Sequence, residues 1–190
     1  MRPVLFEVNF YGFSLGGLVA RQVASLEGFA PYRKYLNKLV CINTPHLGTS
    51  YSCKLVRSAA CMCAGLRRRQ SLAEMGDTSK HGTLLRLAKA TPGFAAFHKV
   101  VLVGVLGDGY SGVPSSLACV PPKGKGASSK RLQTALVEDL ACTTVQRILI
   151  TYSPLPPVSA STSAARARFL HTLILADRET LHRLVYVAGL

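Results

Sequence analysis

The stretch VLFEVNFYGFSLGGLVARQVA (Val4 to Ala24) decides how the chain is read. Val4 to Tyr11 is apolar and β-prone, Gly12-Phe13-Ser14-Leu15-Gly16-Gly17 stops it, and Leu18 to Leu26 carries helical spacing. Strand, tight turn and helix in that order are the setting in which a Gly-x-Ser-x-Gly pattern holds a serine on a strained turn, with helix N–H groups at hand for an oxyanion. Gly12 and Gly16, two residues either side of Ser14, are expected to serve close packing there. A serine in an ordinary Gly-rich turn is the alternative that the pattern alone leaves open.

Further along, Lys38 to Asn43 (KLVCIN) reads as a short buried parallel strand ended by Thr44-Pro45-His46-Leu47-Gly48-Thr49. Between Ser50 and Phe97 the chain is helical in tendency but broken by Gly65, Gly76, Gly82 and Pro92-Gly93, as a lid over one end of a sheet would be. Lys99 to Leu106 (KVVLVGVL) is the clearest buried strand, and Gly107-Asp108-Gly109 puts a carboxylate at its C-terminal tip, the end where open α/β sheets carry ligands. Val120 to Lys130 reads as a Pro/Gly/Ser/Lys-rich loop, followed by a helix from Arg131 to Cys142 and a strand from Val145 to Tyr152. Ser153 to Ser163 is again loop-like, and Phe169 to Gly189 carries the apolar spacing of one amphipathic terminal helix. No internal repeat is evident.

With 190 residues, 48% of them hydrophobic, the chain can bury a sizeable core, and one domain is expected. Lys and Arg number 23 against 9 Asp and Glu, a formal charge of +14 that draws anionic surfaces or acidic partners. The basic clusters, Arg67 to Arg69 and Lys123, Lys125, Lys130 and Arg131, have no interleaved aromatics, and there is no Trp to stack on bases. They read as solvated loops and faces, and no specific nucleic acid is expected.

The six cysteines lack paired CxxC spacing, so reduced thiols are expected. Cys61 and Cys63 read as two small apolar residues, and neither a metal nor a cofactor is expected. No secretory leader is visible at Met1-Arg2-Pro3, which points to a cytoplasmic location. No apolar run approaches the roughly 18 residues that span a bilayer, which leaves peripheral contact with an anionic membrane.

Nucleophilic chemistry at Ser14 needs a base and an orienting carboxylate, in the chain order Ser, Asp or Glu, His for this architecture. Asp108 is placed for the acid, although a plain turn Asp is the competing reading. Of five histidines, His46 follows the second strand, His81 and His98 precede the Asp108 strand tip, and His182 falls within the last helix. His171 comes after the last strand and near the start of that helix, from where it can reach back over the sheet; a surface or core histidine remains the alternative.

Four ordered blocks carry a resemblance: YGFSLGGLVARQVA (Tyr11 to Ala24), KLVCINTPHLGT (Lys38 to Thr49), FHKVVLVGVLGDGY (Phe97 to Tyr110) and HTLILADRETLHRLVYVAGL (His171 to Leu190). Together they resemble the eukaryotic putative serine-esterase group of lipase-like α/β-hydrolases, with its HSLGG-type elbow, TPHLGT loop and VAGL ending. The resemblance implies serine-dependent hydrolysis of carboxylic or lipid esters, with Ser14 as nucleophile, Asp108 as acid, His171 as base and the Leu15 N–H as one oxyanion donor. Two departures stand out: Phe13 where the family commonly has His, and Ser111-Gly112 in place of part of a Tyr-Val-Pro stretch.

The fold expected is α/β, a partial α/β-hydrolase with a mostly parallel sheet of about four strands flanked by helices. Because Ser14 is reached after only 13 residues, residues 1–190 are expected to form a single, N-terminally truncated domain of impaired activity. Two other classes compete: a catalytically silent hydrolase-fold interaction protein, and a basic module binding anionic membrane or RNA.

Overall fold

A computed structural model describes residues 6–49, 82–119, 127–153 and 163–189 of the chain. Four strands form one parallel sheet in sequential order: β1 (Val8–Phe13), β2 (Leu36–Ile42), β3 (Lys99–Val105) and β4 (Thr144–Ile150). Between them run α1 (Leu15–Ser25), a 3₁₀-helix (Glu27–Tyr35), α2 (Thr83–Lys89), α3 (Val113–Ser116) and α4 (Ala127–Leu140). After β4 come α5 (Ser163–Ala176) and α6 (Arg178–Ala188). The fold is α/β with helices flanking a parallel sheet, as the sequence implies.

The two inner strands explain why their sequences are so uniformly apolar. Side chains alternate across a sheet, and here both faces are covered. Leu39 and Cys41 of β2 and Val100 and Leu102 of β3 pack with Leu18 of α1, Leu84 and Leu87 of α2 and Leu132 and Leu136 of α4. Val40, Ile42, Val101, Val103 and Val105 face the other way, against Ile174 of α5 and Leu184 of α6. The outer strands β1 and β4 are only partly buried.

Polar side chains fasten the helix ends. Arg33 donates to the carbonyls of Ala24 (2.8 Å) and Ser25 (3.2 Å), which α1 leaves without intrahelical partners, and to that of Leu26 (2.9 Å) just beyond it. Lys99 of β3 donates to Ala188 O (2.9 Å) and Lys38 of β2 to Gly189 O, so the C-terminal end of α6 is anchored to the sheet.

The first strand ends at Phe13, paired to Ile42, and α1 begins at Leu15, as a turn at Ser14 requires, while Val4 and Leu5 lie outside the described residues. Other boundaries depart from the sequence reading. α4 starts at Ala127 rather than Arg131, because the Ser-Ser-Lys run that suggests a loop joins the helix whose buried face carries Leu132, Ala135 and Leu136. The single terminal helix is two. Asp177 interrupts it and caps α6 by accepting from the N–H groups of Glu179 (3.2 Å) and Thr180 (3.3 Å), so the apolar spacing runs across a break that an N-cap creates. His171 consequently lies within α5, not at the start of the final helix. Of the expected lid region, residues 50–81 are outside the described part; the remainder holds α2 and a short 3₁₀-helix (Phe94–Ala96).

Candidate active site

Parallel pairing in register brings the C-terminal tips of β1, β2 and β3 to one edge of the sheet, with Gly12 opposite Cys41 and Phe13 opposite Ile42. Ser14 occupies the turn between β1 and α1. Its φ of 53° and ψ of −124° are costly for a residue with a Cβ, about 1–3 kcal/mol, and its N–H is held by Ile42 O at 2.8 Å. The Gly12 backbone meets Gly17 so closely that a Cβ on Gly12 would overlap Gly17 N and Cα. The glycine under pressure on the helix side is Gly17, whose Cβ would run into Thr44 and Cys41, whereas a Cβ on Gly16 would meet nothing of the described residues within 4 Å. The expectation that Gly16 serves close packing is therefore corrected: its Cα points to open space, and its neighbour faces the sheet.

Asp108 follows β3 through Gly107, whose φ of +87° turns the chain sharply. Gly109 lets the same loop approach α5, since a Cβ there would overlap that of Ala167. The Asp108 carboxylate is buried, and its Oδ1 accepts from the N–H groups of Tyr110 (2.7 Å) and Ser111 (3.2 Å). These donors compensate the charge and fix the carboxylate orientation. Its other oxygen, Oδ2, lies 2.8 Å from His171 Nδ1, and His171 Nε2 lies 2.9 Å from Ser14 Oγ. An ionised carboxylate only accepts, so it selects the imidazole tautomer with the proton on Nδ1 and leaves Nε2 as the acceptor facing the serine hydroxyl.

Two aromatic rings flank the imidazole: Phe13 at 5.1 Å and Tyr110 at 5.2 Å between ring centroids. Phe13, noted in the sequence only as a departure from the family pattern, thus limits the space in which the His171 ring can swing. Leu15 is the first residue of α1, so its N–H is one that the helix leaves without an internal acceptor. Leu15 and Leu106 are 41% and 54% exposed beside Ser14 and the Asp108 loop, giving this edge of the sheet an apolar rim.

The other histidines are elsewhere. His46 is buried with its ring edge-on to Phe94 at 5.2 Å, and burial together with the nearby Arg21 cation holds it well below the usual imidazole range. His98 and His182 are exposed, and His81 lies outside the described residues. Asn43 and Ser111 also bond into this region, yet nothing in composition or spacing singles them out; an Asn directly after a strand, where positive φ is common, is the one available cue.

Among the described residues no three His, Cys, Asp or Glu side chains gather as a metal site requires, and Cys61 and Cys63 are not among them. Nor is any helix of that part long and apolar enough to cross a membrane. Lys130 and Arg131 are exposed, as a solvated face would have them. Residues 5–118, which include Ser14 and Asp108 but not His171, match the family described as "Putative serine esterase" (DUF676), and the chain belongs to that family.

Proposed function

We propose that the protein hydrolyses carboxylic esters through an acyl-enzyme on Ser14. Support for this reading comes above all from the continuous line of hydrogen bonds from Ser14 Oγ through the His171 ring to a buried Asp108. His171 Nε2 takes the hydroxyl proton as Oγ bonds to the ester carbonyl carbon, and the oxyanion that forms faces the Leu15 N–H. Collapse of that intermediate breaks the bond to the alcohol, which leaves with the proton from Nε2. Water then gives a proton to Nε2 and adds to the acyl carbon; its collapse releases the acid and returns the proton to Ser14 Oγ. Asp108 keeps the ring in the required tautomer and stabilises the imidazolium that appears twice in the cycle.

The apolar rim at Leu15 and Leu106 favours an ester with an apolar acyl group, and a lipid ester presented at an anionic surface suits the charge of +14. The test is hydrolysis of p-nitrophenyl esters of increasing chain length together with labelling by a fluorophosphonate. Ser14→Ala should abolish labelling and lower turnover by at least about 10⁴-fold. Labelling that persists in the Ser14→Ala protein would refute the assignment.

A further inference from the structure

The C-terminal end of β2 underlies all three of these groups, and most of its connections come from one buried residue. Ile42 O holds the backbone of Ser14, and Asn43 follows it with φ 48°, a left-handed conformation that Asn adopts more readily than most residues. Every hydrogen-bonding group of Asn43 is committed. Its N–H donates to Val103 O (2.8 Å), and its side-chain Oδ1 accepts from the N–H of Val105 (3.1 Å), both at the tip of β3. Its carbonyl accepts from Ser111 Oγ–H (2.6 Å), and Ser111 in turn donates its own N–H to the Asp108 carboxylate (3.2 Å). Its Nδ2 reaches across to donate to the backbone carbonyl of His171 (2.9 Å).

One carboxamide therefore spans the strand that leads to Asp108 and the helix that carries His171. The imidazole must meet Ser14 and Asp108 at once, and the two partners sit on separate chain segments. A shift of α5 by a fraction of an ångström lengthens one bond or the other. We propose that Asn43 is a positioning residue of this site, setting the distance between the backbone of His171 and the β3–Asp108 segment so that both imidazole bonds form together. This rests on the reading of Ser14, Asp108 and His171 as the reacting groups.

The amide is needed because it donates and accepts in the same plane. In Asn43→Asp the oxygen facing Val105 N–H survives, but the second oxygen faces His171 O with no proton to give. In Asn43→Gly the left-handed backbone and its two bonds remain while both side-chain bonds vanish, and this variant serves if the Asp variant does not fold. Turnover of a p-nitrophenyl ester is measured per active site titrated with a fluorophosphonate, so that a loss of folded protein does not register as a loss of rate. In parallel, proton NMR follows the far-downfield signal of the His171 Nδ1–H held by Asp108, assigned by its absence in His171→Gln. The expected result is a fall in kcat of roughly 10- to 100-fold with KM within about twofold, as a small misplacement of reacting groups produces, and loss or broadening of the downfield signal. An unchanged kcat per titrated site with an intact signal would overturn the proposal while leaving the Ser14 chemistry standing. Turnover that survives Ser14→Ala would overturn both. Should the parent protein turn over no ester, the NMR signal alone decides: retained in the Asn43 variants it refutes the positioning role, lost it supports it.

Discussion

Gly12 and Gly17 meet backbone to backbone across the Ser14 turn: a Cβ on Gly12 would overlap Gly17 N and Cα, while one on Gly17 would run into the Thr44 and Cys41 side chains. Gly12→Ala and Gly17→Ala should each cost about 1–3 kcal/mol, the usual penalty of overpacking, and should reduce labelling of Ser14 as the turn opens. Gly16→Ala, by contrast, places a methyl in open space on a helix and should leave stability unchanged or raise it by up to about 1 kcal/mol. Urea midpoints of the three variants check this. Equal damage from Gly16→Ala and Gly17→Ala would contradict this packing.

Beneath α1 lies a buried pair whose two halves are unequal. Asp139 accepts from the N–H groups of Phe94 (2.7 Å) and Ala95 (3.1 Å), and its Oδ2 is 3.7 Å from Arg21 Nη2. Arg21 itself is stacked 4.0 Å over the Phe94 ring with no hydrogen bond from Nε or Nη2 among the described residues, and burial outweighs its acidic neighbour, lowering it to about 10. Removing the carboxylate strands both a buried cation and two backbone donors, so Asp139→Ala should cost about 3–5 kcal/mol. Arg21→Met should cost clearly less, and the double variant less than the sum of the two. Additive losses in a double-mutant cycle would show that the two side chains act independently.

Acid sensitivity should trace in part to His46. Its folded pKa lies well below the ordinary 6.5, so below that pH the unfolded chain binds a proton that the folded chain refuses. Stability from this residue is complete above about pH 6.5 and declines as pH falls towards the folded value, by up to about 1.4 kcal/mol per pH unit. Among the described residues neither ring nitrogen has a hydrogen-bond partner, so His46→Leu gives up no hydrogen bond there. The variant should match the parent within about 1.5 kcal/mol near neutral pH and lose stability less steeply below pH 6.5. Parallel stability curves for the two proteins, measured from about pH 7.5 to pH 5, would eliminate His46 as the source.

Much of the fold was legible because the signals are local. KLVCIN and KVVLVGVL read as strands since parallel strands covered on both faces need apolar side chains at nearly every position, and β2 and β3 follow. The Ser14 turn was legible from a strand running into glycines and then a helix. The terminal helix was misread as one because periodicity of 3.6 residues is blind to a break that preserves the buried face, although Asp177 offered a capping cue. Of the two glycines on the helix side, the pattern named Gly16 and the packing demands Gly17, because the Ser-x-Gly spacing counts residues while sterics depends on which one faces Thr44.

By itself, then, the sequence determined the alternation of strands and helices, the serine on its turn and the carboxylate after the third strand, all properties of segments a dozen residues long. Only the tertiary structure decided what crosses between segments: Asn43 reaching from β2 to α5, Asp139 serving both Arg21 and the Phe94 turn, and Phe13 and Tyr110 closing on the His171 ring. Such contacts join residues 45 to 158 positions apart, from Phe94 and Asp139 to Phe13 and His171, and their geometry depends on how helices seat on the sheet. A hydrogen bond depends on tenths of an ångström in that seating, and no local propensity encodes it.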